Sequence, residues 1–572
     1  MNGRRRVAVA AIAVGVALLA PAAASAHAYL VKTVPAASVI LSRAPTSVQL
    51  TYDEAVEPRF AIISVTDVKA RQETTGPVTR SPSDPDTLVV PIRHVGEGWY
   101  LVYWRAISVD GHPVQGAFTF AVGPNAGPAP QFTIPHVAGT ATSTPLVLAK
   151  WLAFLTMMTA IGLFVLRIAI ARPLVRRVSG TSLRVLTIAF GIVAGLALIA
   201  IPAYLEEAVA IDSLRSFWDV TGVVPLWRLT AFGRGYVDVW LCFGLFVAAA
   251  AVAIWTDRPE RERRSVAAIL ALSGALAAAA AVLVLPGAVG HAGQTSPRGV
   301  AVLLDWLHLL SGSLWIGGLI GLLVVWRSLP ATSRVAGLLV CVPRFSNVAF
   351  VSVLVLLGTG VGAAVLHLPV LDALWLTTYG KVILIKAAIL LAAILIASVN
   401  LLRTKPGLSR AEVSEASARL LRRLVSAEVL LVAGAILAAA VLSSVAPPPP
   451  AFAEEGSALA RVGPGKVVST VVRGPFKLEV LVTPNQAAAP DTFGLRLTRG
   501  GKPVEGANVT LSFAMLDMQM PTQEYQLAET APGTYTRKAP ALVMVGHWAL
   551  DFMITPKGGL PFNALVVDRA GG

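Results

Sequence analysis

The chain has 572 residues, 55% of them apolar and only 14% charged, where soluble globular domains carry about 25% charged residues. With a mean hydropathy of +0.69, this composition excludes a wholly water-soluble protein, and much of the chain must dissolve in lipid. The net charge of +15 does not argue for a nucleic-acid partner, because many arginines sit in short clusters beside apolar runs, where membrane orientation requires them.

Residues 1–26 read as an export signal. Arg4, Arg5 and Arg6 form a positive leader, Val7 to Ala20 an apolar run, and Ala24-Ser25-Ala26 a small-residue cleavage site. Cleavage there makes His27 the first residue of the processed chain. The two cysteines are Cys242, in an expected span, and Cys341, in an expected cytoplasmic loop. Exported domains must therefore hold together by core packing.

Residues 27–123 are expected to form a small all-β domain. Alternating stretches such as Val48-Gln49-Leu50-Thr51-Tyr52 and Ala117-Phe118-Thr119-Phe120-Ala121-Val122 are separated by Pro, Gly and Asp turns. That rhythm suits an immunoglobulin-like sandwich or a Greek-key barrel. A linker follows over 124–145.

From 146 to 446 there are eight apolar stretches of about the 20 residues a bilayer span needs. They lie near 146–170, 183–204, 236–256, 266–287, 301–326, 346–368, 380–402 and 424–446. The odd-numbered loops carry the basic residues, including Arg172, Arg176 and Arg177, then Arg258, Arg261, Arg263 and Arg264. Loop five has Arg327, Arg334 and Arg344, and loop seven has Arg403, Lys405, Arg410, Arg422 and Arg423. Loop four carries only Arg298, loop six has no Lys or Arg, and loop two mixes Arg with Glu206, Glu207 and Asp212. The positive-inside rule then puts both soluble ends outside the cytoplasm, in agreement with the export signal. After a linker over 447–465, residues 466–556 are expected to form a second small sandwich, followed by a tail over 557–572. There Gly506-Ala507-Asn508 reads as a turn into Val509-Thr510-Leu511-Ser512, with Val509 and Leu511 facing a core. The expected fold class is thus a membrane protein: an N-terminal all-β immunoglobulin-like sandwich, an eight-helix transmembrane bundle and a C-terminal all-β immunoglobulin-like sandwich.

The first domain offers a metal set. An N-terminal His27 presents an α-amine and an imidazole to one ion, and the amine gives up its proton readily because its pKa is near 8. In Asp110-Gly111-His112, residues two apart share a strand face, so Asp110 and His112 can converge on the same ion. Amine, two imidazoles and a carboxylate make a mixed N,O set of the kind that suits Cu(II). Each element alone has a plainer reading, a processing accident and a common turn.

His27-Ala28-Tyr29-Leu30, Pro35-Ala36, Leu50-Thr51-Tyr52-Asp53-Glu54, Tyr103-Trp104-Arg105-Ala106 and Asp110-Gly111-His112-Pro113 closely resemble the periplasmic copper-binding CopC family. The resemblance covers the whole domain. It implies that His27, Asp110 and His112 hold Cu(II), with Glu54 near the metal but not bound to it. Some members of that family bind Cu(I) through a Met-rich loop. This chain has no Met between Met1 and Met157, so that Cu(I) site is not expected.

In the membrane region, the segment from Asp305-Trp306-Leu307-His308 through Ser311-Gly312-Ser313-Leu314-Trp315-Ile316-Gly317-Gly318 resembles the CopD family of copper-transport proteins. Arg344-Phe345-Ser346, Gly358-Thr359-Gly360, Thr378-Tyr379-Gly380-Lys381 with Lys386, and Asn400 with Arg403 add to the likeness. Fusion to a CopC-like domain is a known arrangement of that family. Ionisable residues at depth are costly and tend to mark pathways, which makes His308 a pathway candidate, with His291 and His367 near the same outer face. The other reading is that His308 hydrogen-bonds a neighbouring helix and His291 and His367 are solvated. Lys381 and Lys386 are expected to be structural, and the glycines to allow close helix packing.

In the last domain Met515, Met518 and Met520 cluster, and His547 follows in Met544-Val545-Gly546-His547-Trp548. Soft thioethers select Cu(I), so these residues are a candidate Cu(I) site, while Met as a core filler is the alternative. The layout loosely resembles YtkA-like domains. Together these readings imply a copper-binding protein of the cell membrane that captures Cu(II) and moves copper, and not an enzyme. The alternatives are a copper chaperone for exported cuproenzymes and a copper oxidase. Against the oxidase, Asp110 fills a position that oxygen chemistry needs open. No P-loop pattern is present.

Overall fold

The computed structural model describes residues 30–37, 39–52, 56–107, 113–125, 130, 132, 143–212, 216–219, 231–295, 297–368, 370–371, 373–408, 414–445, 458–516 and 523–571. Two compact units emerge, one helical and one made chiefly of residues 25–140 and 446–572.

The first β domain has strands β1 Leu30–Val34, β2 Ile40–Leu41, β3 Ser47–Tyr52, β4 Ile62–Asp67, β5 Thr79–Arg80, β6 Thr87–Pro91, β7 Gly98–Ile107 and β8 Pro113–Val122. They form two four-stranded sheets, ordered β1-β3-β6-β5 and β2-β8-β7-β4. Strand alternation builds the core between them: Val48, Leu50 and Tyr52 point inward from β3, and Ile63 and Val65 from β4. In contrast, β7 is buried along nearly its whole length. One face joins the sandwich core through Tyr100, Val102, Trp104 and Ala106. From the other, Leu101 packs with Ala117 against Ala488 of the last domain. Thr119 Oγ1 donates to Ala488 O at 2.9 Å, and Ala117 N to Val543 O at 3.2 Å.

The helical unit has eight helices long and apolar enough to cross a membrane among the described residues. They are α1 Thr144–Val165, α2 Arg184–Asp212, α3 Ala231–Thr256, α4 Val266–Val289, α5 Arg298–Ser328, α6 Ala331–His367, α7 Thr378–Val399 and α8 Ser414–Leu442. Helix α6 starts well before the expected 346 and runs through Pro343. Proline there costs the backbone hydrogen bond to Leu339 O; in the same turn the Arg344 guanidinium donates to Val340 O. Helices α1 and α5 touch through glycine: a Cβ on Gly162 would lie 2.0 Å from Ser313 O, and one on Gly317 would lie 2.4 Å from Gly162 Cα. This is the small-residue packing expected of helices in lipid.

The loop between α3 and α4 is anchored by one carboxylate. Asp257 is 6% exposed and faces Arg172 Nε at 3.0 Å, Arg167 Nη1 at 3.6 Å and Arg264 Nε at 3.6 Å. The Arg172 guanidinium also donates to the carbonyls of Arg258, Arg261 and Glu262 at 2.8–3.2 Å. Some loop arginines that report topology in the sequence thus also hold the loop together.

The last domain has β9 Ala460–Val462, β10 Val467–Arg473, β11 Phe476–Thr483, β12 Asp491–Arg499, β13 Lys502–Pro503, β14 Asn508–Met515, β15 Gln523–Ala531, β16 Thr534–Ala539, β17 Gly546–Thr555 and β18 Phe562–Ala570. They follow the order β10-β11-β12-β16-β15-β14-β17-β18-β9 in one sheet, wrapped around a shared core. Val509 and Leu511 are fully buried while Thr510 and Ser512 are only partly so, as the alternation predicts.

One polar knot is buried in this domain. Asn485 N donates to Asp491 Oδ1 at 2.7 Å, and Asn485 Nδ2 to Asp568 Oδ1 at 2.9 Å. Burial raises Asp491 to about 7, with Asp568 adding to the effect, and burial raises Asp568 to about 6. The folded chain therefore holds protons that the unfolded chain has released above about pH 4, so this pair's contribution to stability must fall as pH rises from about 4 to about 7. In chelator-treated buffer, the unfolding midpoint of the wild type should drop across that window relative to Asp491→Asn. A constant difference between the two proteins would refute this.

Candidate metal centre

In the first domain, β7 and β8 pair antiparallel with Ile107 opposite Pro113. In sequence, Asp110 and His112 fall between these two strands. Strand β1 begins at Leu30, which pairs with Tyr52 at the end of β3. His27 precedes Leu30 by three residues, and Glu54 follows Tyr52 by two. The Tyr52 ring packs edge-on against Trp104 with centroids 5.7 Å apart, which joins the Tyr52 end of one sheet to the Trp104–Ile107 end of the other. Gly116 makes room for that indole, since a Cβ there would lie 2.7 Å from the Trp104 ring. Burial pushes the Tyr52 phenol far up, so it stays neutral. His27, Glu54, Asp110 and His112 themselves lie outside the described residues.

In the helical unit, His308 sits on α5 about 15 Å along the helix from Arg298, at 1.5 Å per residue. Its Nδ1 lies 2.9 Å from Thr359 Oγ1 on α6, and its Nε2 lies 3.3 Å from Lys386 Nζ on α7. An ammonium can only donate, so Nε2 accepts and the ring proton resides on Nδ1. That N–H donates to Thr359 Oγ1, which in turn donates to Val355 O at 2.7 Å. Three helices thereby fix the ring plane and its tautomer. Asp305, one turn away on α5, lies within electrostatic reach of Lys386. Its Oδ2 occupies the space a Cβ on Gly287 of α4 would need, only 2.5 Å away.

His367 ends α6 about 12 Å beyond Thr359 along the helix. Its Nδ1–H donates to Ala363 O at 2.8 Å, and its Nε2 lies 3.2 Å from Thr295 Oγ1. Thr295 immediately follows the short helix His291–Gln294, so His367 adjoins the segment that carries His291. The His291 side chain lies outside the description.

Thr359 and Lys386 are the residues the sequence did not single out as partners of His308. Lys386 lies eight residues inside α7, deep for a snorkelling lysine, and that depth was the available signal. Nothing local pointed to Thr359.

In the last domain Met515 and His547 point to opposite faces of the sheet. Met515 is 3% exposed and pairs across the sheet with Trp548 inside the core. His547, next along β17, lies on the opposite, exposed face. Met518 and Met520 lie outside the described residues. Among the described residues no three His, Cys, Asp or Glu side chains cluster as a metal site.

Residues 30–123 match the family model described as the CopC domain, residues 339–442 that of Copper resistance protein D, and residues 473–553 the YtkA-like model. The copper transport protein CutJ of Bacillus subtilis strain 168 is 25% identical over 394 residues, covering 67% of this chain and 69% of CutJ. The protein YobA of Escherichia coli strain K12 is 37% identical over 98 residues, covering 17% of this chain and 79% of YobA. The crystal structure of PcoC, a methionine-rich copper resistance protein from Escherichia coli, is 32% identical and covers 17% of this chain and 99% of that one, with a TM-score of 0.16.

Proposed function

As the chain belongs to the CopC–CopD family of copper-resistance proteins, with a YtkA-like domain at its end, we propose that it captures Cu(II) outside the cytoplasm and carries copper into or across the membrane. Capture is assigned to the His27 amine and imidazole, Asp110 and His112, with Glu54 beside them. His291 and His367 would receive the ion at the membrane face, and His308 would pass it on. Both soluble domains lie outside the cytoplasm in this scheme, which the arginine-rich odd loops support.

The observation that carries the reading is the oriented histidine inside the bundle, held by Thr359 and approached by Lys386. An ammonium and a copper ion compete for the same Nε2 lone pair, so copper can bind His308 only when Lys386 Nζ withdraws. A Cu(I) site in the last domain would draw on Met518, Met520 and His547, because Met515 is taken up by core packing.

The competing reading is a chaperone that loads exported cuproenzymes without moving copper inward. Total cellular copper and cuproenzyme maturation, measured with and without the gene, separate the two. Reduced cellular copper in the deletion strain supports transport. Unchanged cellular copper with immature enzymes supports the chaperone, and no change in either defeats both.

A further inference from the structure

We propose that Asn485, Asp491 and Asp568 of the last domain form a buried site for a hard divalent cation, Ca2+ by its chemistry, separate from any copper site. Asn485 sits between β11 and β12 with φ 63°, a left-handed conformation that asparagine tolerates better than most side chains. From there its backbone N–H holds Asp491 Oδ1 at 2.7 Å, and its Nδ2 holds Asp568 Oδ1 and Gly465 O, each at 2.9 Å. All three residues are at most 1% exposed. Yet Asp491 Oδ2, Asp568 Oδ2 and Asn485 Oδ1 have no hydrogen-bond partner among the described residues.

Three orphaned oxygens on three fully buried side chains, both aspartates bonded to Asn485, are not how buried polar groups are normally left. Water offers one remedy and a cation another. Once the two acids have lost their protons, a water would leave two neighbouring carboxylates uncompensated, whereas a divalent ion balances both charges. Burial raises the proton affinity of both acids. His547 on β17 acts electrostatically on Asp568, but it lies on the exposed face.

The donor chemistry selects the ion. Two carboxylates, an amide oxygen and nearby backbone carbonyls form an all-oxygen set, which suits Ca2+ and offers copper and zinc neither nitrogen nor sulfur. Mg2+ holds its water shell more tightly and fits a site of this burial less well. The chain approaches closely here: a Cβ on Gly463 would lie 2.7 Å from Asp568 Oδ1 and 2.4 Å from Arg569 O. An ion at this point would tie together the β9–β10 connection, the loop before β12 and the end of β18. That loop also carries Ala488, which accepts the hydrogen bond from Thr119 of the first domain. The ion would therefore brace the contact between the two β domains.

The test uses purified full-length protein in detergent, stripped with a calcium chelator and kept free of copper. Equilibrium dialysis against radioactive Ca2+ should give one ion per chain, and added Ca2+ should raise the unfolding midpoint. Asp568→Asn and Asp491→Asn should each weaken Ca2+ binding at least about tenfold. Asn485→Gly keeps the left-handed backbone and should also weaken binding, which guards against a misfolded aspartate variant. Wild-type protein that binds no Ca2+, or binds it as well in all three variants, would overturn the proposal. Copper takes no part in the measurement, so either outcome leaves the proposed transport function untouched.

Discussion

Copper uptake by cells carrying His308→Ala is expected to fall at least about tenfold below wild type, with Cu(II) binding to the first domain unchanged. The expectation follows from the geometry of the ring. His308 is an ionisable residue that three separate helices orient within the bundle, through Thr359 on one side and Lys386 on the other. Removing it deletes the nitrogen and also leaves the Lys386 ammonium without its acceptor in a low-dielectric setting. Thr359→Val keeps the side-chain volume but removes the hydroxyl that fixes the tautomer. Outer partners of metal-binding histidines typically cost about 10- to 100-fold in affinity or activity, so Thr359→Val should reduce uptake by about tenfold. The measurement is the initial rate of copper accumulation at matched protein levels in the membrane. Uptake by His308→Ala at the wild-type rate would remove this residue from the pathway, and a normal rate for Thr359→Val alone would show that the tautomer does not matter.

Asp257→Ala is expected to destabilise the helical unit by about 3–5 kcal/mol, the usual cost of leaving a buried charge without its partner. Here the loss is multiplied by context, because Arg167 and Arg172 are 5–6% exposed and Arg264 also faces the same carboxylate. Without Asp257 the three guanidinium groups would repel one another, and the loop carbonyls of Arg258, Arg261 and Glu262 would lose a well-placed donor. Asp257→Asn keeps one acceptor oxygen and should fall between the wild type and Asp257→Ala. A double-mutant cycle with Arg172→Met would show coupling, the pair costing less than the sum of the single changes. The readout is detergent-solubilised unfolding monitored by intrinsic fluorescence. Independent, additive losses would mean that the ion pair contributes nothing of its own.

The sequence was informative where structure depends on near neighbours. Alternation in Val509-Thr510-Leu511-Ser512 correctly separates inward from outward residues, because a strand repeats every two positions. Apolar length alone yields eight spans, and their count agrees with the eight long apolar helices among the described residues. Boundaries were less legible. Helix α6 extends back to Ala331 and continues through Pro343, and within its first turns Arg334 stacks on Trp326, with its guanidinium carbon 4.7 Å from the ring centroid. Charged side chains that read as loop were, in place, helix surface. Strand β7 departs from alternation for a different reason: both its faces are covered, the second by a domain more than 350 residues further on.

Amino-acid order by itself determined the succession of a β domain, eight spans and a second β domain. Hydropathy, strand period and local spacing act over a few residues, so they survive without knowledge of the fold. Only the tertiary structure decided which polar groups meet inside the bundle and inside the last domain. His308 finds Thr359 and Lys386 at separations of 51 and 78 residues, and Asn485 reaches Asp568 across 83. Such meetings arise from helix and strand packing, where burial makes an unpaired polar group expensive and so selects partners by position in space, not along the chain.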